Sequence, residues 1–400
     1  MVAFRPASGV LLPSRRHAVR FIVLLGVVSL FADMTYEGAR SITGPYLALL
    51  GASAATVGIV AGFGELVGYA ARLASGWLSD RTGRYWAVTI FGYGLNLFAV
   101  PLLALTDRWE LAVVLIVAER MGRAIRSPAR DAMLSHAASR TGLGWGFGLH
   151  EALDQTGAIL GPLTVAAVLY LRYGYHEAFA LLLVPAVLAM AVLIAARINF
   201  PRPRDFDLAP PALEGSAMPR ALWIYLAGVA LLGAGFADFP LIAYHFGVAQ
   251  VVAAPWIPVL YALAMGTDAV AALALGVLFD RVGVGAMVLA TLLSAAAAPL
   301  VFLGGVSAVV IGMACWGIGM GAQESVMRAM IARLAPSERR GTAYGVFNAV
   351  YGIAWFAGSA LLGVLYDRSI LAVAATALAL QLAALPAFLW LLRRAPGAGP

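Results

Sequence analysis

Four hundred residues, 62% hydrophobic and only 12% charged, with a mean hydropathy of +0.88, exclude an ordinary soluble domain, in which about a quarter of residues carry charge. The single cysteine, Cys315, excludes an internal disulfide and any CxxC metal or redox site. All 27 basic residues are arginine, and arginine does not give up its proton, so any proton chemistry falls to Asp, Glu or His. The net charge of +7 is no nucleic-acid signature, because the arginines concentrate in short loops where membrane topology accounts for them.

Apolar runs of about 20 residues, enough to cross a roughly 30 Å hydrocarbon core, recur along the whole chain. Arg5, Arg15, Arg16 and Arg20 lead into a first span at 21–50. That run is long, lacks a small-residue cleavage site and contains Asp33, Glu37 and Arg40, so it reads as a spanning helix and not a cleaved signal. Further spans are expected near 54–79, 86–106, 108–136, 144–171, 177–197, 221–247, 254–279, 284–304, 306–334, 341–366 and 370–392. Twelve helices make an all-α membrane protein, because a helix satisfies its own backbone polar groups in lipid. Seventeen loop and terminal arginines fall on one side and three, Arg108, Arg172 and Arg368, on the other, which places both termini in the cytoplasm of a plasma (bacterial inner) membrane protein.

The proline-rich stretch at 199–220 reads as a linker between six-helix halves at 1–198 and 221–400. The halves echo each other. GWLSDRTG at Gly76–Gly83 matches GVLFDRVG at Gly276–Gly283, and the FAD at Phe31–Asp33 recurs at Phe236–Asp238. DAMLSHAASRTGLGWGFG is echoed 197 residues later, pairing Asp131 with Arg328, Gly148 with Gly345, Glu151 with Asn348 and Asp154 with Tyr351. A duplicated unit of this kind suggests a two-half transporter with its site at the interface.

The run GWLSDRTGR at Gly76–Arg84 resembles the loop between helices 2 and 3 of the major facilitator superfamily, with Tyr85 where a basic residue is common. Twelve spans, a central linker and the echo at Asp280 and Arg281 extend the resemblance over the whole chain. It implies that Gly76, Asp80, Arg81, Gly83 and Arg84 form a conformational latch that holds the cytoplasmic side closed in the outward-facing state, with Asp80 set against a helix end across the halves and Arg84 paired with Asp131, beside Arg130. A narrower resemblance is to the helix 5 signature of the family's antiporters: Gly148, Gly157, Gly161 and Pro162 keep the spacing, while Val165 and Ala166 replace the last two glycines.

The charged residues within spans call for a reason, since such groups are costly in lipid. In span 4, Glu119, Arg123, Arg126 and Arg130 share an arc of about 60° at 100° per residue. One reading is a structural ion-pair ladder with Arg126 and Arg130 snorkelling to the surface; the other has Arg123 tuning a coupling carboxylate or touching substrate, a role the family resemblance supports. Span 5 places His150, Glu151 and Asp154 within about one turn as proton-handling candidates, with Asp154 or Glu151 pairing with Arg123 in one state. Span 1 adds Asp33 and Glu37, of which Glu37 and Arg40 are spaced to neutralise each other.

Substrate-cavity candidates are Glu65 and Tyr69 on span 2, Asp238 and His245 on span 7, and Asp268 on span 8. Gln323 and Glu324 on span 10 and Asn348, Tyr351 and Trp355 on span 11 complete them. Glu65 with Arg72, and Glu324 with Arg328, have intrahelical pair spacing. No HExxH, Walker or serine-triad pattern points to an enzyme, and GIGMG at Gly317–Gly321 lies inside an apolar helix without the strand and lysine of a phosphate loop. Scattered methionines read as packing, with Met265, Met313 and Met320 the one set that would admit a metal; no metal site is expected.

The expected function is alternating-access transport driven by a proton gradient, without a cofactor: proton-coupled export of a small organic solute by a monomer in the lipid bilayer. Symport or facilitated import of an anionic nutrient held by Arg123, and a non-transporting receptor or assembly factor, stay open beside it.

Overall fold

The first helix sets the frame. In the computed structural model, α1 (Arg15–Leu49) runs unbroken for 35 residues, about 52 Å at 1.5 Å per residue, and starts six residues before the predicted span. Residues 15–138, 141, 143–201, 219–335 and 340–394 are described. Most of the predicted linker, Arg140 and Arg339 lie outside them, as do the side chains of Tyr69 and Asp80.

Four more helices follow in the first half: α2 (Ala54–Thr82), α3 (Tyr85–Leu102), α4 (Trp109–Ala138) and α5 (Leu143–Tyr170). A sixth span is built from α6 (Tyr175–Leu181) and α7 (Leu183–Asn199). The second half contains α8 (Arg220–Gly235) with α9 (Phe239–Val248), α10 (Trp256–Val282), and α11 (Val284–Ala295) with α12 (Ala297–Leu303). It ends with α13 (Val306–Glu324) and α14 (Val326–Leu334), then α15 (Arg340–Tyr366) and α16 (Ile370–Arg394).

Among the described residues, eleven helical segments are long and apolar enough to cross a membrane. The twelfth, α4, is as long as the others and misses that standard only because it carries the charged stripe. Those charges are sheltered by protein: Arg120 and Arg126 are buried, and Glu119 and Arg123 are only partly exposed. Two apolar cores form, one from α1–α7 around Phe21, Tyr46, Tyr93 and Phe179, the other mainly from α8–α16 around Tyr225, Phe239, Trp316 and Phe388. Large apolar side chains such as Phe91 and Leu371 face outward, as a lipid-facing surface requires.

The echoed motifs do the same backbone work in both halves. Gly83 ends α2 at φ +67° and Gly283 ends α10 at φ +57°, conformations that glycine adopts without steric cost. Their amides close the last turns on Ser79 O at 2.9 Å and Phe279 O at 2.8 Å.

The predicted seventh span is broken in its middle. Helix α8 stops at Gly235 and α9 restarts after Asp238, with Pro240 in its first turn. Freed backbone groups inside a bundle need partners. Trp316 Nε1 donates to Ala237 O at 2.8 Å, and Gln381 Nε2 to Gly235 O at 3.1 Å.

Candidate functional site

A cavity of about 540 Å³ lies between the halves toward the end where Arg81, Arg84, Arg281, Arg393 and Arg394 are exposed. Arg123, Arg126, Arg130 and Asp131 of α4 form one wall, and Gly148, Glu151 and Asp154 of α5 another. Glu324 and Arg328 stand across from them. A deeper compartment of about 130 Å³ shares Arg72, Arg123, Glu324 and Arg328 with it and adds Gln323, Asn348, Tyr351 and Trp355. The repeat relation is thereby realised in space: Glu151 and Asp154 line one chamber, and their counterparts Asn348 and Tyr351 line the other.

The floor is a charge network that joins the halves. Arg40 Nη2 donates to Asp238 Oδ1 at 2.9 Å, made possible by the α8–α9 break, and lies 3.9 Å from Glu65, while its Nη1 lies 4.0 Å from Glu37. Tyr261 of α10 donates to Glu37 Oε2 at 2.5 Å, and Arg123 approaches the same carboxylate at 3.7 Å. Arg120 is bonded to Glu65 and lies 3.4 Å from Glu119, which also accepts from Asn96 Nδ2 at 2.8 Å.

Several expected pairings therefore change partners. Glu37 and Arg40 touch, but each holds a stronger contact across the bundle. Glu65 goes to Arg120 and Arg40, not to Arg72. Glu324 and Arg328 are not within 4.0 Å of each other, and in this state, one of the two the coupling reading involves, Arg123 pairs with Glu37 and not with Asp154 or Glu151. At the latch, which is expected to close in the opposite state, Arg84 is exposed here and Asp131 is bonded to Arg130 at 2.8 Å. Asp280 and Arg281 are exposed.

Nor does Arg126 snorkel. It is 1% exposed, with its guanidinium 4.2 Å from the Tyr93 ring centroid, 5.7 Å from that of Tyr36 and 4.0 Å from Asp33. Tyrosine faces thus replace much of its water. His150 is buried behind the cavity wall, its Nε2 2.9 Å from Ser29 Oγ, which in turn accepts from Arg130 at 3.3 Å. His245 is also buried, against Tyr366 OH at 2.9 Å, away from the cavity. Asp268 is buried behind the wall.

Asp33 and Asp154 come together across the α1–α5 contact, near enough for their charges to act on each other. Glycines allow it. A Cβ at Gly157 or Gly161 would overlap the backbone carbonyls of Leu30 or Met34 on α1, so two of the signature glycines serve close helix approach. Gly148 has open space around it and lines the cavity instead.

Opposite the cavity the two halves meet tightly. Gly44 abuts the Pro240 carbonyl, and Gly58 packs against Ser359 and Gly363. Ala54 N and Ala55 N, at the start of α2, donate to Asp367 Oδ1 and Oδ2 at 3.1 and 3.0 Å. Sequence reasoning missed Asp367, Tyr261 and Asn96. Asn96 left a signal, as a lone amide inside an apolar span; the other two are ordinary until the halves are docked. Among the described residues, no group of three or more His, Cys, Asp or Glu is arranged to hold a metal.

A central cavity between two six-helix halves, closed at one end, is the geometry of alternating access. The sequence matches the model of the Major Facilitator Superfamily over residues 24–267 and 234–400. The chain belongs to this superfamily. An uncharacterized protein of Mycobacterium tuberculosis (strain ATCC 25618 / H37Rv) is 45% identical over 375 residues, 92% of each chain. An uncharacterized MFS-type transporter of Methanocaldococcus jannaschii is 27% identical over 363 residues, covering 88% of this chain and 90% of that one. Among solved structures, the nucleoside transporter NupG superposes with a TM-score of 0.73 at 12% identity, covering 92% of this chain and 99% of that one. A POT family transporter in complex with 5-aminolevulinic acid gives 0.74 at 14%, covering 94% and 96%. This superfamily member is a multi-pass membrane transporter and not an enzyme; the receptor or assembly-factor reading gives way to transport.

Proposed function

We propose that this transporter exports small organic solutes in exchange for protons, with Asp33 and Asp154 as the proton site. The Asp33–Asp154 contact carries the proposal. Two carboxylates this close repel when both are ionised, and a proton between them removes the repulsion. Asp154 borders the cavity while Asp33 is 3% exposed behind it, so the proton site and the solute chamber share a wall. A solute arriving there changes the electrostatics of the pair, and the proton leaves as the solute binds. Competition of this kind yields exchange.

The spacing of Gly148, Gly157, Gly161 and Pro162 supports the antiporter branch. The positive-inside rule supports an inner-membrane location with the arginine-rich end and both termini in the cytoplasm. Both walls of the cavity come from one chain, which supports a working monomer. By the superfamily resemblance, Asp80, Arg81 and Arg84 close the cytoplasmic end in the opposite state.

A second reading, symport of an anionic nutrient, draws on Arg123, whose side chain keeps 28% exposure on the cavity while paired with Glu37. Proteoliposomes with an interior pH dye and an imposed pH gradient decide between the two. A transported solute should move opposite to protons in the wild type, and Asp33→Asn and Asp154→Asn should lose that coupling. Solute and proton moving in the same direction, or full coupling in both variants, would overturn the exchange reading.

A further inference from the structure

The network at the cavity floor holds more acids than bases. Among the described residues, ion pairs within 4.0 Å link Arg40 of α1 and Arg120 and Arg123 of α4 to Glu37 of α1, Glu65 of α2, Glu119 of α4 and Asp238 at the head of α9. Three cations face four acids, and Arg40, Arg120, Glu37 and Asp238 have side chains 10% exposed or less. Arg126 is turned to Asp33, and Arg72 lines the two compartments outside the linked set. A buried charge without a partner is costly, and a proton would balance this one.

Glu119 is the member placed to hold it. Asp238 has Arg40 at 2.9 Å, and Glu37 has the Tyr261 hydroxyl at 2.5 Å and Arg123 at 3.7 Å. Glu65 has Arg120 in close contact and Arg40 at 3.9 Å. Glu119 has the Nε of that same Arg120 at 3.4 Å and the neutral amide of Asn96 on α3. Asn96 is 0% exposed; its Nδ2 donates to Glu119 Oε1 at 2.8 Å, and its Oδ1 has no hydrogen-bond partner. An ionised carboxylate has no donor to offer that oxygen, whereas a carboxylic acid has an O–H.

Glu119 also has an approach of its own. With Arg40, Arg120 and Arg123 it lines a cavity of about 30 Å³ inside the first half, bounded by Leu47, Val57 and Leu103 toward the end away from the arginine-rich surface. A space of that size holds about one or two waters, enough to pass a proton.

We infer that Glu119, paired with Asn96, is a second proton-binding site, and that its proton keeps the outer gate between the halves shut. On losing the proton, Glu119 draws Arg120 away from Glu65. Glu65, 3.9 Å from Arg40, then takes Arg40 from Asp238, and the bond across the halves is lost. Opening carries Asp238 away with the second half and leaves three acids against three arginines, so the open state needs no proton. Protonation therefore favours the state closed on the outer side, and rising pH opens it. The inference rests on the alternating-access part of the exchange reading and adds a proton that the solute does not touch.

Spin labels on Leu105, just beyond α3, and Leu371, at the start of α16, are both exposed at the outer end and read the gate in the purified full chain carrying Cys315→Ala, without solute. With Asp33→Asn and Asp154→Asn as background, the long-distance population should still grow as pH rises through neutrality, by up to about tenfold per pH unit, the limit for one linked proton. Adding Glu119→Gln, whose amide replaces the bound proton as donor, should hold the gate closed at every pH. Asp238→Asn balances the charges by another route and should leave the gate open and equally insensitive to pH, which keeps the test valid if Glu119→Gln fails to fold. A background already flat with pH, or a response that persists in Glu119→Gln, would overturn the inference and leave the Asp33–Asp154 reading standing. Full solute–proton exchange in the background variant would do the reverse.

Discussion

Arg126 puts a permanent charge where only 1% of the residue meets solvent, and two tyrosine faces and Asp33 are what hold it there. A planar guanidinium stacks on such faces, whereas an ammonium at the same place keeps a stronger demand for water. Arg126→Lys is therefore expected to be far from conservative, lowering the thermal unfolding midpoint in detergent. Tyr93→Phe keeps the ring and should be close to neutral, while Tyr93→Leu should lose about 1–2 kcal/mol of cation–π attraction. Equal midpoints for Tyr93→Leu and Tyr93→Phe would show that the ring face does not hold the arginine. The sequence placed Arg126 on a stripe with Glu119, Arg123 and Arg130 but not at its depth. Helical periodicity gives a direction around the axis, and depth depends on neighbours such as α3, whose Gly92 lets its backbone approach that of Arg126.

Among elements, the two departures from regular helix packing are the α8–α9 break and the close contact of α1 with α5. The break frees backbone carbonyls that side chains must satisfy, and Trp316→Phe removes the donor to Ala237 O. A buried acceptor left unsatisfied costs about 1–3 kcal/mol, so this variant should unfold at a measurably lower temperature with its ring packing kept. Gly157→Leu should be worse, because its side chain would meet the Leu30 carbonyl and overpacking costs about 1–3 kcal/mol or more. It should also separate Asp154 from Asp33 and weaken proton coupling even in the protein that folds. The glycine spacing was readable because close helix contact needs small residues at fixed intervals. The break was not: PheAlaAspPhePro at 236–240 sits in a run hydrophobic enough to pass as one helix, and only the donors from α13 and α16 make the interruption affordable.

At the scale of the whole molecule, the arginine-rich end is open and the other end is held by contacts between the halves. Asp367 caps the start of α2 from the end of α15, and Arg40 joins Asp238 at the cavity floor. Both must break for the far side to open. A capping carboxylate contributes about 0.5–2 kcal/mol, so Asp367→Ala should shift the balance between states by a few-fold or more toward the opposite opening. Spin labels at Trp77 on α2 and Val277 on α10, both exposed, would report this as a larger population of short distances; an unchanged distribution would remove Asp367 from the gate. The twelve-helix plan, the repeat and the charged lining were all legible, because each follows from hydropathy or local spacing. The pairing scheme was not, since spacing along one helix names partners one turn away, while docked helices offered Glu37, Arg40 and Glu65 nearer ones on neighbouring elements.

The central claim is that a solute and a proton compete at Asp33 and Asp154 beside the cavity. Calorimetric titration of a transported solute into the purified transporter, run near neutral pH in two buffers of different ionisation enthalpy, counts the protons exchanged on binding. Net proton release, with affinity rising as pH rises and the release abolished in Asp154→Asn, is the predicted result. Binding heats that do not depend on the buffer, or net proton uptake, would contradict it.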